Sequence, residues 1–305
     1  MKKIALVAAL AAVSASAFAQ STVTLYGRVN TTVESQKVAN QDRKVVVANN
    51  SSRIGFKGTE DIGGGLKASF VLEHGFNADN GTASGAFWGR ESSVQLSGGF
   101  GAVRLGNWTP GSYFATADYI SMHNHDTGSS SDALYGGPFR SANKIAYFTP
   151  TVGGFNAEIA VAAGEGAPGV KRGVDLAANY VAGPVHLGAG YSKEGNNNQM
   201  AFRGLYEMGA VTLGAYFQRV DTNNVKRDIY RLAGMYAMGA SEFHVNYGAA
   251  DKTSLQAKES QFTLGYNYNL SKRTKVYGYY TSVDAKLANK AGDFSSLAAG
   301  VRHNF

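Results

Sequence analysis

The sequence predicts an all-β protein, a closed antiparallel transmembrane β-barrel of 16 strands. Three observations predict it. Apolar and polar residues alternate with period two in segment after segment, which puts one set on each face of a strand. The connections between these segments alternate between tight and long. The segment Ser295–Phe305 then ends in mid-alternation, with Leu297, Ala299, Val301, His303 and Phe305 set against Ser296, Ala298, Gly300, Arg302 and Asn304. Such a strand leaves an open edge unless another pairs with it, and the first strand of the chain is the obvious partner. That pairing closes the sheet. With an aromatic ending the apolar set and Arg302 in the other, the barrel has an oily outside and a wet inside, which suits an outer membrane.

At the N-terminus, Lys2 and Lys3 precede an apolar run from Ile4 to Val13 and a small-residue site at Ala17-Phe18-Ala19. This reads as an export signal over residues 1–19, cleaved after Ala19. A helical anchor needs roughly 20 apolar residues, about twice this run. Residues 20–305 are then one barrel domain. No later stretch approaches a helical span, so a membrane location requires a closed barrel, in which every backbone polar group is paired.

The candidate strands start near Thr22, Ser51, Gly65, Phe87, Ala102, Arg140, Phe155, Gly173, Pro184, Gln199, Val211, Lys226, Glu242, Glu259, Thr274 and Phe294. In the first, Val23, Leu25, Gly27 and Val29 face away from Thr24, Tyr26, Arg28 and Asn30. The dyad is clearest at Gln261–Leu270, where Phe262, Leu264, Tyr266, Tyr268 and Leu270 alternate with polar residues and glycine. Leu213 and Phe217 oppose Thr212 and Gln218, and Phe243, Val245 and Tyr247 oppose His244 and Asn246, in the same way. Lys275–Asp284 resists assignment, because either parity puts tyrosines outside. Tight connections at Asp61–Gly64, Gly98–Gly101, Ala182–Gly183 and Met208–Ala210 separate longer ones such as Ser35–Asn50 and Asn77–Ala86. Short turns on one side and long loops on the other are the membrane-barrel pattern. A soluble β-rich protein has no reason to alternate them.

One connection is out of scale. About thirty residues between Trp108 and Arg140 show weak periodicity, and structureless connections of that length are usually functional or disordered. Its acids are Asp118, Asp126 and Asp132, with no lysine or arginine before Arg140. From the residues alone, a loop in solvent and a segment folded into a watery lumen stay equally open.

Composition fits many paired strands: 38 glycines, 17 tyrosines and 16 phenylalanines against 5 prolines and no cysteine. The missing cysteine excludes a disulfide framework and a thiolate metal site. The formal charge of +7 falls to +5 without Lys2 and Lys3. Such an excess suits nucleic acid, anionic headgroups or anions in a pore, and its scatter along the chain speaks against the first two. The Gly63–Gly65 run lies between strands and makes a turn rather than a phosphate cradle. His123, Asn124, His125 and Asp126 lack a further placed ligand, so no metal site is expected. Ser, His and Asp occur without a G-x-S-x-G nucleophile motif. Alternating tyrosines read as an interfacial girdle rather than a base-stacking platform.

The segment SSRIGFKGTEDIGGGLKASFVLEHGF at 51–76 resembles the second and third strands of the general porins of Gram-negative β-proteobacteria. Further family features follow in order: TLYGRVN at 24–30, GRESSVQLSGGFGAVRLGNW at 89–108, NKIAYFTP at 143–150 and GVRHNF at 300–305. The resemblance spans essentially the whole chain after the export signal. It implies a 16-stranded barrel in a homotrimer, surrounded by outer-membrane lipid and lipopolysaccharide, with the third loop folded inward to narrow the pore. It also implies passive diffusion of small hydrophilic solutes and ions, with no cofactor. A terminal aromatic, here Phe305, is the family's signal to the barrel assembly machinery. Two features depart from the pattern. Ala146 stands where a basic residue is common and Trp108 where a charged residue or glutamine is, which thins the usual arginine cluster. The chain is also short for the group, which implies trimmed external loops.

A channel needs charges that choose among solutes, and rings of basic side chains favour anions. Parity turns Arg28, Arg53, Lys57, Arg104 and Lys144 inward, with Lys67 and Glu73 sharing the inner face of the third strand. Asp118, Asp126 and Asp132 are the candidates for an opposing acidic side. The expected function is weakly anion-selective general diffusion, with no enzymatic activity and no nucleic-acid partner. Two alternatives remain. A substrate-specific channel would use Tyr113, Phe114, Tyr119 and Tyr135 as a track for a sugar or organic anion, and a barrel hydrolase would need a triad at its wall.

Overall fold

The computed structural model describes residues 22–122, 134–138, 141–166, 168–285 and 292–305. The expected export signal, the histidines at 123 and 125, Asp126, Asp132 and Arg140 lie outside these residues. Among the described residues, seventeen strand segments form one antiparallel sheet that closes on itself. The first is β1 (Thr22–Val38) and the last β17 (Phe294–Asn304), and they pair from Arg28↔Asn304 to Val38↔Phe294. Two backbone bonds of 3.1 Å between Gly27 and Phe305 extend the seam. Among the described residues no sheet edge is left open.

β1 is long enough to bridge two partners. It pairs with β2 (Lys44–Asn49) through Thr31↔Asn49 and with β3 (Arg53–Gly63) through Arg28↔Arg53. Between these pairs β1 uses residues 29–30 while the partner uses 50–52, so one extra residue bulges. Ser51 takes it up at φ 55°. β2 and β3 are therefore two halves of one barrel strand, and the barrel has 16 strands.

This revises the expected long loop at Ser35–Asn50. Strand pairing continues to Val38 and resumes at Lys44, leaving residues 39–43 as the turn. The segment hid its strand character in two ways. The end of β1 is polar on both faces, at Glu34 and Gln36 and at Ser35 and Lys37, and the bulge shifts parity between Ala48 and Arg53.

The remaining strands follow in chain order: β4 (Leu66–Gly75), β5 (Glu91–Gly98), β6 (Gly101–Trp108), β7 (Lys144–Phe148), β8 (Phe155–Ala162), β9 (Gly173–Ala182) and β10 (Val185–Glu194). Then come β11 (Asn197–Met208), β12 (Val211–Thr222), β13 (Val225–Met238), β14 (Ser241–Ala250), β15 (Glu259–Asn269) and β16 (Thr274–Asp284). β5 begins at Glu91 rather than near Phe87, because Phe87 leaves the sheet to stack on His74 at 4.4 Å. At the long-loop end, two connections are two-residue hairpins, at 195–196 and 223–224. Asn223 and Asn224 both take positive φ, 51° and 67°, which a tight hairpin of the primed type requires.

The alternation holds as expected. Val23, Leu25, Leu213, Val245, Leu264 and Leu297 are exposed on the outside, while Asn30, Thr32, Gln218, Asn246 and Ser296 are buried inside. A continuous apolar outer surface is far larger than a water-soluble monomer exposes. In β16 the ambiguity resolves: Tyr277 and Tyr279 turn inward, donating to Asn30 Oδ1 (2.7 Å) and Glu34 Oε1 (2.9 Å), and Tyr280 turns outward.

After β6 the third loop enters the barrel as a short helix, α1 (Gly111–Tyr113), that widens into a π-type turn over Phe114–Asp118. Ala117, Ile120 and Leu134 of the loop pack on Ala201, Tyr216, Ile229, Ala233 and Ala250 from the inner faces of β11–β14. The only sizeable apolar core among the described residues thus lies inside the barrel, beneath this loop.

Candidate functional site

The loop is docked by polar groups that the sequence holds far apart. Trp108 Nε1 donates to Glu158 Oε1 at 3.1 Å. Gly111 is needed just after, because a Cβ there would lie 2.1 Å from Glu158 Oε2. The Ser112 amide donates to Asp175 Oδ1 at 3.0 Å, and the hydroxyls of Ser112 and Ser192 both donate to Asp175 Oδ2. Gln199 continues the chain to Ser192 (3.1 Å), and Gln218 bonds Gln199 (3.1 Å) and both backbone polar groups of Gly136. Arg203 Nε donates to the Ala115 carbonyl at 2.8 Å while its guanidinium lies 3.6 Å from the centre of the Tyr119 ring. Tyr119 in turn reaches His186 Nδ1 at 2.8 Å. One side of the barrel interior, β8–β14, is thereby given over to holding the loop.

The other side, β1–β7, is left facing the lumen and carries a group of partly exposed cations. Arg53 Nη1 lies 3.6 Å from Glu73 Oε1, and Arg90 Nε donates to the same oxygen at 2.6 Å. Arg104 Nε donates to Gln95 Oε1 at 3.0 Å, and its Nη1 lies 3.5 Å from Glu91. Its guanidinium also sits over Phe148 at 4.8 Å and Trp108 at 5.4 Å. Lys57 is exposed, with Nζ 5.1 Å from the Tyr26 ring, and that ring lies across Gly55, where a Cβ would approach it to 2.6 Å. Glu73 serves two arginines at once, so positive groups outnumber carboxylates here. Half-exposed pairs of this kind are individually worth only about 0–1 kcal/mol, and their collective field matters more than any one bridge.

The parity-nominated residues divide into two groups. Arg53, Lys57, Glu73 and Arg104 are inward and retain access to the lumen. Arg28 and Lys144 also point inward but are buried, at 4 % and 3 % exposure. Arg28 Nε is held by the Ser51 carbonyl at 3.1 Å, in the bulge. Lys144 is covered by the loop stem, with Nζ 4.1 Å from the Trp108 ring. Neither side chain is open to the lumen. Asp118 sits in the π-type turn of the loop and is partly exposed.

The sequence reading missed Arg90, Glu91, Glu158, Asp175 and Arg203. Parity alone nominates three of them: Glu158 opposes Ile159, Asp175 opposes Leu176, and Arg203 opposes Phe202. Arg90 precedes its strand, so no alternation marks it.

Comparison with known proteins agrees with this geometry. Residues 5–288 match the family model described as Gram-negative porin. The chain is 33% identical to Outer membrane porin protein 32 of Delftia acidovorans, over 96% of this chain and 92% of that one. It is 27% identical to an outer membrane porin protein of Bordetella pertussis over the full length of both. Among solved structures it superposes on an anion-selective porin from Comamonas acidovorans with a TM-score of 0.79 and 29% identity, covering 94% of this chain and 100% of that one. A closed 16-stranded barrel, apolar outside and charged within, on a chain of this sequence belongs to the Gram-negative porin family of the outer membrane.

Proposed function

We propose that this porin is a general diffusion channel for small hydrophilic solutes and ions, with a weak preference for anions. The observation that carries the reading is the one-sided interior. Accessible Arg53, Lys57 and Arg104 stand on β3 and β6 with Arg90 just before β5, and the loop bearing Asp118 is docked on the opposite wall. A transverse field of this kind orients polar solutes, and an excess of bases raises the local anion concentration. The similarity to an anion-selective porin supports the same sign. The test is the reversal potential across a planar bilayer under a KCl gradient. Neutralising Arg28, Arg53 and Arg104 together should move it toward cation selectivity, and an unchanged value would remove these residues from the selectivity wall.

A homotrimer is the proposed assembly, and the outer surface supports it. Outward aromatic rings are plentiful on β11–β16, at Phe202, Tyr206, Tyr230, Tyr236, Phe243, Tyr247, Tyr266 and Tyr280. On β17, β1 and β2 the exposed outward residues are instead aliphatic, at Leu297, Val301, Val23, Leu25, Val33 and Val47, with Phe305 just past β17 as the aromatic exception. Interfacial rings mark a lipid-facing wall, and their scarcity marks the wall that meets another copy. Residues 1–19 are proposed as the export signal, Phe305 as the assembly-machinery signal, and the chain as a channel rather than an enzyme.

A further inference from the structure

We infer that the lumen-facing side of the third loop is a stacking station for ring-bearing carboxylates, built from Phe114 and Tyr119. This rests on the diffusion-channel reading and goes beyond it, since a general pore needs no such site. Among the described residues of the loop, these two are the large apolar side chains left exposed, Phe114 at 49% and Tyr119 at 38%.

The other two aromatic residues of the loop are used differently. Tyr113 and Tyr135 pack on each other at 5.0 Å and against the apolar cluster over β11–β14. Tyr119 is held on one side by the Arg203 guanidinium and tethered by its hydroxyl to His186, so its ring is fixed while the residue stays 38% exposed. Phe114 makes its described ring contact with Tyr113 alone, at 5.7 Å. A rigid ring displayed to water forgoes burial that is worth about 1.5–3 kcal/mol for a whole side chain. Such a ring attracts a second ring in offset or edge geometry.

Charge completes the choice of ligand. The partly exposed guanidinium groups of Arg53, Arg90 and Arg104 and the exposed ammonium of Lys57 lie on the wall away from the loop's docking surface. A solute with a flat ring and a carboxylate, such as benzoate, offers a ring to the loop and a negative charge to the basic field of the lumen. An aliphatic anion of the same charge offers only the charge.

The test uses purified full-length protein in planar bilayers carrying chloride current, titrated with benzoate or with cyclohexanecarboxylate. The expected result is that benzoate reduces the current at about three- to tenfold lower concentration, the factor one ring pair supplies. Phe114→Leu/Tyr119→Leu should abolish the difference and Phe114→Tyr should keep it, each measured against that variant's own chloride current. Equal block by the two acids in the unsubstituted protein, or a difference that survives Phe114→Leu/Tyr119→Leu, overturns the stacking station and leaves the diffusion channel standing. Absence of chloride current in the unsubstituted protein overturns both.

Discussion

Gly188 and Gly190 on the inner face of β10 are the surface against which the third loop rests, and filling them should narrow the pore. A Cβ at Gly188 would lie 2.1 Å from the Ala115 carbonyl oxygen, and one at Gly190 would lie 2.8 Å from Ser112, where ordinary contact begins at 3.4 Å. In Gly188→Ala/Gly190→Ala the loop must therefore retreat by about 1.3 Å at Ala115 and 0.6 Å at Ser112. The strand cannot yield instead, because β10 is paired over its whole length with both β9 and β11. The loop is tied on either side, at Trp108 and at Gly136, so it bows into the lumen. The movement breaks the Arg203–Ala115 bond, a charge-assisted contact worth about 1.5–3 kcal/mol, on top of about 1–3 kcal/mol of overpacking. Single-channel conductance in KCl should fall, and the melting temperature of the refolded protein should fall with it. Gly204→Ala is the control, since a Cβ there meets only Leu187 on the outside at 3.7 Å. If the double variant conducts like the parent, the loop is not seated on these glycines.

Three further outcomes follow from β1 and the segments that pair with it. Ser51 at φ 55° should accept glycine with no loss, whereas Ser51→Val should lower denaturant stability by about 1–3 kcal/mol through left-handed strain on a β-branched residue. Gly27→Val should block barrel closure, because a Cβ there would lie 2.4 Å from the Arg53 carbonyl and 2.6 Å from the Phe305 ring. Deleting Phe305 removes the ring and two seam bonds; if it also signals to the assembly machinery, outer-membrane levels in cells should fall further than refolding yield in detergent does.

The seam also shows how far the sequence could be read. Alternation found the closing pair β1 and β17 and turned Arg28, Arg53, Lys57, Arg104 and Lys144 inward, because a period of two fixes the face of a strand without knowledge of its neighbours. It overlooked β2, where three consecutive valines blur the period and a one-residue bulge resets it. It also could not divide the inward cations into exposed and buried. Lys144 is covered only because the loop stem at Trp108 lies over it, and Arg28 only because the bulge at Ser51 offers it a carbonyl.

The local pattern of residues determined the fold class, the strand faces, the apolar exterior and the basic interior, since each follows from the chemistry of residues one or two positions apart. Tertiary structure alone decided the site. The loop is seated by pairs such as Ala115 with Arg203 and Gly136 with Gln218, 88 and 82 positions apart, which meet only when the sheet has closed. Which side of the lumen keeps its charges open to water is settled by that seating.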